Sequence, residues 1–364
     1  MKILLCSEFY KPHIGGVEIH TEVLANYFSE NNQITIATTK IKDRNNYSYN
    51  DSKIKIKEFD IKGSLAKGYS GDVKRYENFL LNSKFDVIFF NAAQQWTFDL
   101  SLNILKEINS KKIFFPCGFS RINNILFKPY FQILSNKLNY FDEIICCSKS
   151  WNDYKFCSKY FIGEIKIISN GANKIKANKI QLKKNTKKYI SISNLKFLKG
   201  QDRVIKIFNG LDHASTLNIY YSSYNFVYRL FIQLIILYFN KINHFKNKKI
   251  YLINIKKRII VSQVFKNTRA FIFGSRIEYC PLVMFESMSM GVPFVSHNVG
   301  IIHEIINKKY LGIVSNENIK LINYINNLSK NNSDVSQKII SQFNNKYDWS
   351  ILLKKYKPLF KKNK

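Results

Sequence analysis

The sequence has few acidic residues, no CxxC cysteine pair and no long apolar run. Its 364 residues include 25 Asp and Glu against 57 Lys and Arg, which gives a formal net charge of +32. Such an excess suits nucleic acid, an anionic membrane face or a phosphorylated substrate as partner. An AT-rich coding sequence is a second explanation, because Lys, Asn and Ile are abundant together and the charge is spread along the whole chain.

The cysteines form no CxxC pair and show no metal-ligand spacing, which argues against a disulfide-stapled secreted scaffold. We therefore expect buried free thiols in a reducing cytosol. Residues 1–6 read MKILLC and run directly into polar sequence, which predicts a short strand rather than a signal peptide. The cysteines are Cys6, Cys117, Cys146, Cys147, Cys157 and Cys280.

Residues 224–240 are the strongest candidate for a membrane segment. They are interrupted by Arg229 and Gln233, and they fall short of the roughly 20 apolar residues that a spanning helix needs. We predict a helix that is buried in the protein, with a helix lying in a membrane interface as the alternative.

Short apolar runs alternate with segments of helical periodicity, which predicts an α/β protein with mostly parallel, doubly wound sheets. Predicted strands include residues 2–6, 34–37, 54–58, 86–90, 112–116, 144–147 and 165–168, then 189–193, 216–221, 249–253, 270–273 and 292–296. Predicted helices include residues 17–29, 99–108, 123–139, 149–158, 202–211, 282–290 and 301–306.

The chain length predicts two domains, and the basic, aperiodic stretch 169–188 predicts a linker between them. We place an N-terminal acceptor domain at residues 1–170 and a C-terminal donor domain at residues 171–345. Residues 346–364 are predicted to form a terminal helix that packs back on the first domain. A cleft is expected between the two Rossmann-like domains, with ligands at the carboxyl ends of the strands.

Gly15 and Gly16 lie between the first predicted strand and the first predicted helix. Glycines allow a ligand close to the backbone, and a helix N-terminus attracts phosphate. A purely structural turn is the alternative, since the pattern is not the GxGxxG fingerprint. In the second half, Lys199 stands where a pyrophosphate would need a cation, and Lys196 could add another. Solvated surface lysines are the alternative there.

The segment from Glu278 to Glu286 carries the most specific chemistry. Pro281 fits the start of a helix, and the free amides of Leu282 and Val283 then form a natural phosphate seat. Two carboxylates placed on the loop and on the helix could address one ligand, because a carboxylate accepts hydrogen bonds from two vicinal hydroxyls. Helix capping or pairing with a lysine is the alternative for Glu286.

With these motifs in order, the chain resembles the retaining glycosyltransferases called group 1, or family four, which have the GT-B fold. The match of residues 278–293 to the family's E-x7-E and G-x-P pattern is the most specific. The other matching segments are residues 15–18, residues 168–173, residues 195–200, and Gly300 with Glu304.

The resemblance implies a nucleoside-diphosphate sugar held mainly by the C-terminal domain, with Glu286 on the ribose and Glu278 on the sugar ring. Lys199 and helix amides would hold the diphosphate and stabilise its departure. No metal or other cofactor is expected, and the sequence has no Asp-x-Asp pair. The implied catalytic residues are Glu278 and Lys199, and the implied donor-binding residues are Gly15, Gly16, Asn194, Lys196, Lys199, Leu282, Val283 and Glu286.

The sequence departs from the family pattern at several positions. Asn194 stands where the family usually has arginine, and a lysine cannot reproduce arginine's fork geometry. Asn91 and Cys117 stand where many members carry a histidine, which His13 could replace. We expect the acceptor at residues 91–97 and 116–120, through Asn91 and Cys117.

The expected function is a metal-independent, hexosyltransferase-like enzyme of bacterial surface polysaccharide or lipopolysaccharide synthesis. Its acceptor would be a glycan or lipid-linked, and the enzyme would be cytoplasmic, with possible peripheral attachment to an anionic inner membrane face. An inactive family member and another GT-B enzyme, such as an epimerase or phosphorylase, are alternatives. A basic nucleic-acid-binding protein is a further alternative, although no recognition motif for nucleic acid is present.

Overall fold

The computed structural model describes residues 1–42, 44, 53–64, 67–82, 84–119, 121–175, 187–255, 261–328 and 333–361. The chain divides into two compact units. Unit 1 comprises Met1–Ser169 and Leu352–Lys364, and unit 2 comprises Asn170–Ile351. Each unit is built on one parallel sheet, so the predicted α/β class with two Rossmann-like domains is confirmed.

Unit 1 has a seven-stranded parallel sheet in the order β3-β2-β1-β6-β7-β8-β9, and a separate antiparallel hairpin, β4-β5. All five residues of β6 are buried, as expected for a central parallel strand covered on both faces. The strands are β1 Lys2–Cys6, β2 Gln33–Thr39, β3 Ile54–Phe59, β4 Ile61–Ser64, β5 Gly68–Gly71, β6 Val87–Asn91, β7 Lys111–Phe115, β8 Glu143–Cys146 and β9 Ile165–Ile167.

The helices of unit 1 are α1 Gly16–Ser29, α2 Val73–Asn82, α3 Trp96–Asp99, α4 Lys128–Lys137 and α5 Asn152–Tyr160. The predicted helix at residues 99–108 is wrong, because α3 ends at Asp99 and only a 3₁₀ turn, Leu100–Asn103, follows it. The predicted helix at residues 123–139 is α4 flanked by two 3₁₀ turns, Ile125–Phe127 and Leu138–Tyr140.

Aromatic side chains fill much of the core of unit 1. Phe98 stacks on Phe114, which in turn stacks on Phe141, with centroid separations of 4.3 and 5.0 Å. Such pairs add about 0.5–1.5 kcal/mol each beyond the burial of their area.

All six cysteines are free, as expected, and all except the half-buried Cys117 are buried.

The C-terminal segment of unit 1 packs against α1. The hydroxyl of Tyr356 lies 3.0 Å from Nε2 of His20, and Phe360 stacks on Phe28 at 4.1 Å. Burial lowers the pKa of His20 to about 4, although a hydrogen bond with Asn91 opposes this shift. The imidazole is therefore neutral at pH 7 and acts as a packed polar side chain.

Unit 2 has a six-stranded parallel sheet in the order β12-β11-β10-β13-β14-β15. Its strands are β10 Lys188–Ile192, β11 Ser215–Tyr221, β12 Lys248–Asn254, β13 Ala270–Phe273, β14 Phe294–Ser296 and β15 Gly312–Val314. Its helices are α6 Gln201–Asn209, α7 Phe226–Ile242, α8 Val261–Val264, α9 Leu282–Ser289, α10 Ile302–Ile305, α11 Asn318–Asn326 and α12 Ser333–Lys346. The last helix, α13 Trp349–Tyr356, begins in unit 2 and continues into the C-terminal segment of unit 1.

The prediction that residues 224–240 form a buried helix is wrong. The helix α7 exists, but only one stripe of it is buried, namely Tyr228, Ile232, Ile236 and Phe239. The remaining apolar side chains point to solvent, including Leu234 and Leu237, each 67% exposed. Within the described residues, no helix is both long enough and apolar enough to cross a membrane.

The strand order of each sheet reverses at one point. In unit 1 the reversal falls between β1 and β6, and in unit 2 it falls between β10 and β13. In open parallel sheets, ligands bind beyond the carboxyl ends of the two strands at such a point. The loops that follow these four strands are therefore the places to look for a functional site.

Candidate active site

The two predicted catalytic residues of unit 2 lie in contact. Lys199 follows β10 and Glu278 follows β13, and Nζ of the lysine forms an ion pair with Oε1 of the carboxylate. Both side chains are partly exposed. The fold thus brings together two residues that are 79 positions apart in sequence, at the carboxyl edge where the strand order reverses.

Two glycines allow the loops that carry this pair to approach each other. Gly200 has a left-handed backbone, with a φ of 62°, which side-chain-bearing residues rarely adopt. A Cβ on Gly200 would lie 2.0 Å from the carbonyl oxygen of Gly274, and a Cβ on Gly274 would lie 2.1 Å from that of Gly200. Neither position accommodates a side chain without moving a loop.

Arg276 fixes the loop of Glu278 to the loop of Lys199. Its guanidinium donates to both carboxylate oxygens of Asp202, at 2.9 and 2.6 Å, and to the carbonyl oxygen of Phe197. It also lies 4.0 Å from the centre of the Phe197 ring. Burial raises the pKa of Asp202, but hydrogen bonds from Arg276 and Tyr228 outweigh burial, so the net pKa is lowered. Sequence reasoning missed this arginine, which precedes Glu278 by two positions.

The helix α9 begins directly after this loop. Pro281 is its N-cap residue, and the helix begins at Leu282, as the sequence predicts. Among the described residues, the backbone N–H groups of Leu282 and Val283 have no hydrogen-bond partner, so they are available to an anion. The side-chain amide of Asn170 donates to the carbonyl oxygen of Cys280 and holds the start of the helix.

Glu286 lies on α9, half-buried. It follows Leu282 by four positions, so the two residues share one face of the helix about 6 Å apart along the axis. Gly300, with a φ of 56°, packs against the backbone of Glu278 and Tyr279, where a Cβ would lie 2.2 Å from the Tyr279 carbonyl oxygen. The loop of Glu278 is therefore braced from both sides.

Asn194 and Lys196 occupy different surroundings. The Asn194 side-chain oxygen accepts a hydrogen bond from the Ser222 hydroxyl at 3.0 Å. Its carbonyl oxygen accepts a hydrogen bond from the buried amide of Gln201 at 2.8 Å. Lys196 is exposed on the same loop. Asn194 thus ties the loops after β10 and β11 together, and Lys196 remains accessible to a ligand.

In unit 1, Gly15 is the N-cap residue of α1 and Gly16 is its first residue. The Glu18 carboxylate folds back onto this turn, and its Oε1 lies 3.0 Å from Nδ1 of His13. A Cβ on Gly16 would have no heavy atom within 4 Å. The space next to Gly16 is therefore open, but a carboxylate already occupies the positive end of the helix.

The side chain of Asn91 is directed into the protein. Its amide nitrogen lies 2.7 Å from the Thr21 hydroxyl, 3.2 Å from Nδ1 of His20 and 3.3 Å from the Val17 carbonyl oxygen. Its oxygen accepts a weak hydrogen bond from the Cys117 thiol at 3.4 Å. Asn91 thus holds α1 to the sheet, and of the two predicted acceptor residues only Cys117 is partly exposed.

Three carboxylates gather at this edge of unit 1, and sequence reasoning identified none of them as site residues. Asp99 accepts hydrogen bonds from Tyr69 at 2.6 Å and from Tyr130 at 2.8 Å, and burial raises its pKa to about 6. Burial, together with the nearby charges of Asp99 and Glu18, raises the pKa of Glu8 to about 7. These groups lie far apart in sequence, so no spacing reveals the cluster.

The predicted acceptor residue Ser120 lies outside the described residues.

No set of three or more His, Cys, Asp or Glu side chains in the described part of the chain is arranged to hold a metal ion. The strongest arrangement of functional groups is the ion pair of Lys199 and Glu278, next to the free amides of a helix N-terminus. Such a set can bind a phosphate through the lysine and the amides, and hydroxyl groups through the carboxylates.

Comparison with known proteins agrees with this geometry. Residues 240–345 match the family model described as "Glycosyl transferases group 1". No curated protein gives a significant sequence match. The resemblance to group 1 glycosyltransferases is thereby confirmed by the family match, and the fold of the chain is that of the GT-B enzymes.

Solved structures are similar over nearly the whole chain. Anabaena HepE in complex with UDP has a TM-score of 0.78 at 16% identity and covers 98% of this chain and 99% of its own. Sucrose-phosphate synthase from Thermosynechococcus elongatus has a TM-score of 0.79 at 12% identity, with coverages of 99% and 98%. WaaG, a glycosyltransferase involved in lipopolysaccharide biosynthesis, has a TM-score of 0.68 at 12% identity, with coverages of 98% and 99%. At these identities the likeness establishes the fold.

Proposed function

We propose that the chain is a retaining, metal-independent glycosyltransferase that moves a sugar from a nucleoside-diphosphate sugar to a glycan or lipid-linked acceptor. One observation carries the proposal: Lys199 and Glu278 meet at the strand-order reversal of unit 2, next to the N-terminus of α9. The match of residues 240–345 to group 1 glycosyltransferases supports the same reaction class.

The ion pair suggests how the donor is held. Lys199 and Glu278 neutralise each other. A diphosphate would compete for the lysine and for the amides of Leu282 and Val283, which would release the carboxylate to accept hydrogen bonds from sugar hydroxyls. Glu286 would bind the ribose hydroxyls, as the family resemblance implies. Preorganised positive groups would then stabilise the departing nucleoside diphosphate.

The remaining assignments rest on the resemblance. Gly15 and Gly16 are assigned to donor binding, and Asn194 and Lys196 are assigned to supporting roles near the phosphates. HepE has been solved in complex with UDP-glucose, so uridine-diphosphate sugars are the first donors to test. The role of WaaG in lipopolysaccharide biosynthesis supports a place in bacterial surface polysaccharide or lipopolysaccharide synthesis, on the cytoplasmic side of the membrane.

The proposal is tested with Glu286→Gln, which keeps the shape of the side chain but removes its charge. UDP, UDP-glucose and GDP-mannose are added to the wild-type chain, and the unfolding temperature is recorded. A bound nucleotide sugar at about 100 times its dissociation constant stabilises the wild type by roughly 2.7 kcal/mol, and Glu286→Gln is expected to lose most of this gain. Glu317→Gln is the control, because Glu317 is exposed and paired with Lys320.

Wild-type stabilisation by none of these nucleotides, or an equal gain in Glu286→Gln, contradicts the donor site. Release of nucleoside diphosphate is measured in parallel. A chain that binds the donor but releases no diphosphate with any acceptor is an inactive family member.

A further inference from the structure

The helix α7 of unit 2 presents an apolar surface to solvent. Its outward residues follow helical spacing and are large: Val227 is 73% exposed and Tyr238 is 68% exposed. The opposite stripe, from Tyr228 to Phe239, packs on the sheet. The exposed face, defined here as the α7 face, consists of Val227, Leu230, Phe231, Leu234, Leu237, Tyr238 and Ile242.

The α7 face continues beyond the end of the helix. Phe245, in the turn that follows α7, is 95% exposed. A soluble surface usually carries apolar side chains singly, so a contiguous set of this size marks an interaction site. The helix is held to unit 2 by its inner stripe, and its 17 residues are too few to span a bilayer.

The stretch of sequence that contains α7 carries charge of one sign. Residues 213–277 contain eleven Lys and Arg and no Asp or Glu. Lys241 and Lys246 are exposed, and Lys241 lies one helical turn after Leu237. Arg229, which is also on α7, lies over the ring of Tyr224 at 4.7 Å.

We propose that the α7 face docks on an anionic lipid bilayer, with the helix lying in the interface plane. An apolar stripe flanked by Lys and Arg matches the structure of such a surface, since acyl chains receive the apolar side chains and phosphate headgroups receive the cations. Tyr238 suits the headgroup level, because its ring is apolar and its hydroxyl is polar.

A second copy of the chain is a less suitable occupant. It would bring its own Lys241 and Lys246 toward the same two exposed lysines here, and charges of one sign repel. An anionic surface brings the opposite sign. The inference stands on α7 alone and does not depend on the donor site, so the two proposals can fail separately.

The test is co-sedimentation of the full chain with two kinds of vesicle. One contains equal parts of phosphatidylglycerol and phosphatidylcholine, and the other contains phosphatidylcholine alone. We expect the wild-type chain to sediment with the anionic vesicles and to be released by high salt. The double variant Leu234→Gln/Leu237→Gln should bind at least about tenfold more weakly, because each buried leucine side chain contributes on the order of tenfold in partitioning.

The control is Ile162→Gln/Ile319→Gln, which removes two exposed isoleucines outside the α7 face and should bind as the wild type does. Unfolding temperatures of both double variants should match the wild type, since all four side chains are exposed.

Failure of the wild type to sediment with either vesicle overturns the proposal, as does equal binding by Leu234→Gln/Leu237→Gln. Equal binding to both vesicle types overturns the assignment to anionic lipid. A wild-type dimer that dissociates in Leu234→Gln/Leu237→Gln, without vesicle binding, assigns the face to a second copy and also overturns the proposal.

Discussion

At the start of a helix, a glycine can be needed for the turn itself or for the close approach of a ligand, and a substitution at Gly16 distinguishes these two roles. A Cβ at this position would meet no heavy atom within 4 Å, and the backbone is not left-handed. Gly16→Ala should therefore leave the unfolding temperature within about a degree of the wild type. If Gly16 allows close approach of donor phosphates, the same change should lower kcat/KM, by roughly tenfold for the loss of about 1.4 kcal/mol.

The control for this variant is Gly200→Ala, whose Cβ would collide with the Gly274 carbonyl oxygen and which should lower stability by roughly 1–3 kcal/mol. Unchanged kinetics in Gly16→Ala would assign the glycine to the turn alone.

Glu8 makes the stability of unit 1 depend on pH. Its pKa is raised from an ordinary value of 4.5 to about 7, first by burial and then by Asp99 and Glu18. The folded state thus holds the proton more tightly than the unfolded state does, and the free energy of unfolding should fall as the pH rises from about 4.5 to 7. Glu8→Gln should flatten this part of the profile, measured by urea unfolding at a series of pH values.

The pKa of Asp99 is also raised, to about 6. Asp99 therefore makes the free energy of unfolding fall with rising pH as well, and this part of the fall should remain in Glu8→Gln. The comparison variant is Glu77→Gln, because Glu77 pairs with Lys74 on the surface of α2 and its loss should keep the wild-type slope. A Glu8→Gln profile that overlays the wild type would disprove the cause assigned here.

At the scale of elements, the C-terminal segment stabilises unit 1. Phe360 is 1% exposed and stacks on both Phe28 and Phe89. Phe360→Ala should lower the free energy of unfolding by about 3–5 kcal/mol, since it leaves a cavity as well as losing buried area. Chemical denaturation of the full chain measures the effect.

Lys361→Ala, at the exposed neighbouring position, is the control for Phe360→Ala and should change stability by less than about 0.5 kcal/mol. Equal effects of the two substitutions would mean that the segment does not contribute through packing.

Elements with continuous apolar runs were predictable from sequence, and those defined by contacts were not. The strands β1, β6, β7 and β13 are short apolar runs between polar turns, so periodicity and length identify them. The hairpin of β4 and β5 is rich in glycine and polar residues and gives no such pattern. For α7 the apolar content predicted a helix, but composition alone does not distinguish two buried faces from one buried and one exposed face.

The candidate site shows the same limit. Glu278 and Lys199 were predicted because each lies in a motif with a defined spacing. Arg276, Asp99 and Glu8 were missed, because their importance comes from partners that are distant in sequence, such as Asp202 for Arg276. Asn91 was predicted to bind the acceptor from its position at a strand end, but its amide is used to hold α1.

For the whole molecule, a net charge of +32 implies repulsion among surface cations. Salt shortens the screening length from about 30 Å at 0.01 M to about 8 Å at 0.15 M, so added sodium chloride should raise the unfolding temperature over this range. Tetramethylammonium chloride should act equally, because screening does not depend on the cation. An unfolding temperature that is constant or falls with salt would show that repulsion does not limit stability.

The pairing of Lys199 with Glu278 has a consequence for selectivity. Inorganic phosphate could take the lysine only by leaving the carboxylate without its counterion, which costs free energy at a half-buried position. A molecule that offers both phosphate oxygens and hydroxyl groups replaces each partner of the pair. The resting chain therefore discriminates against simple anions before any fit to the sugar is considered, and abundant phosphate should be a poor competitive inhibitor.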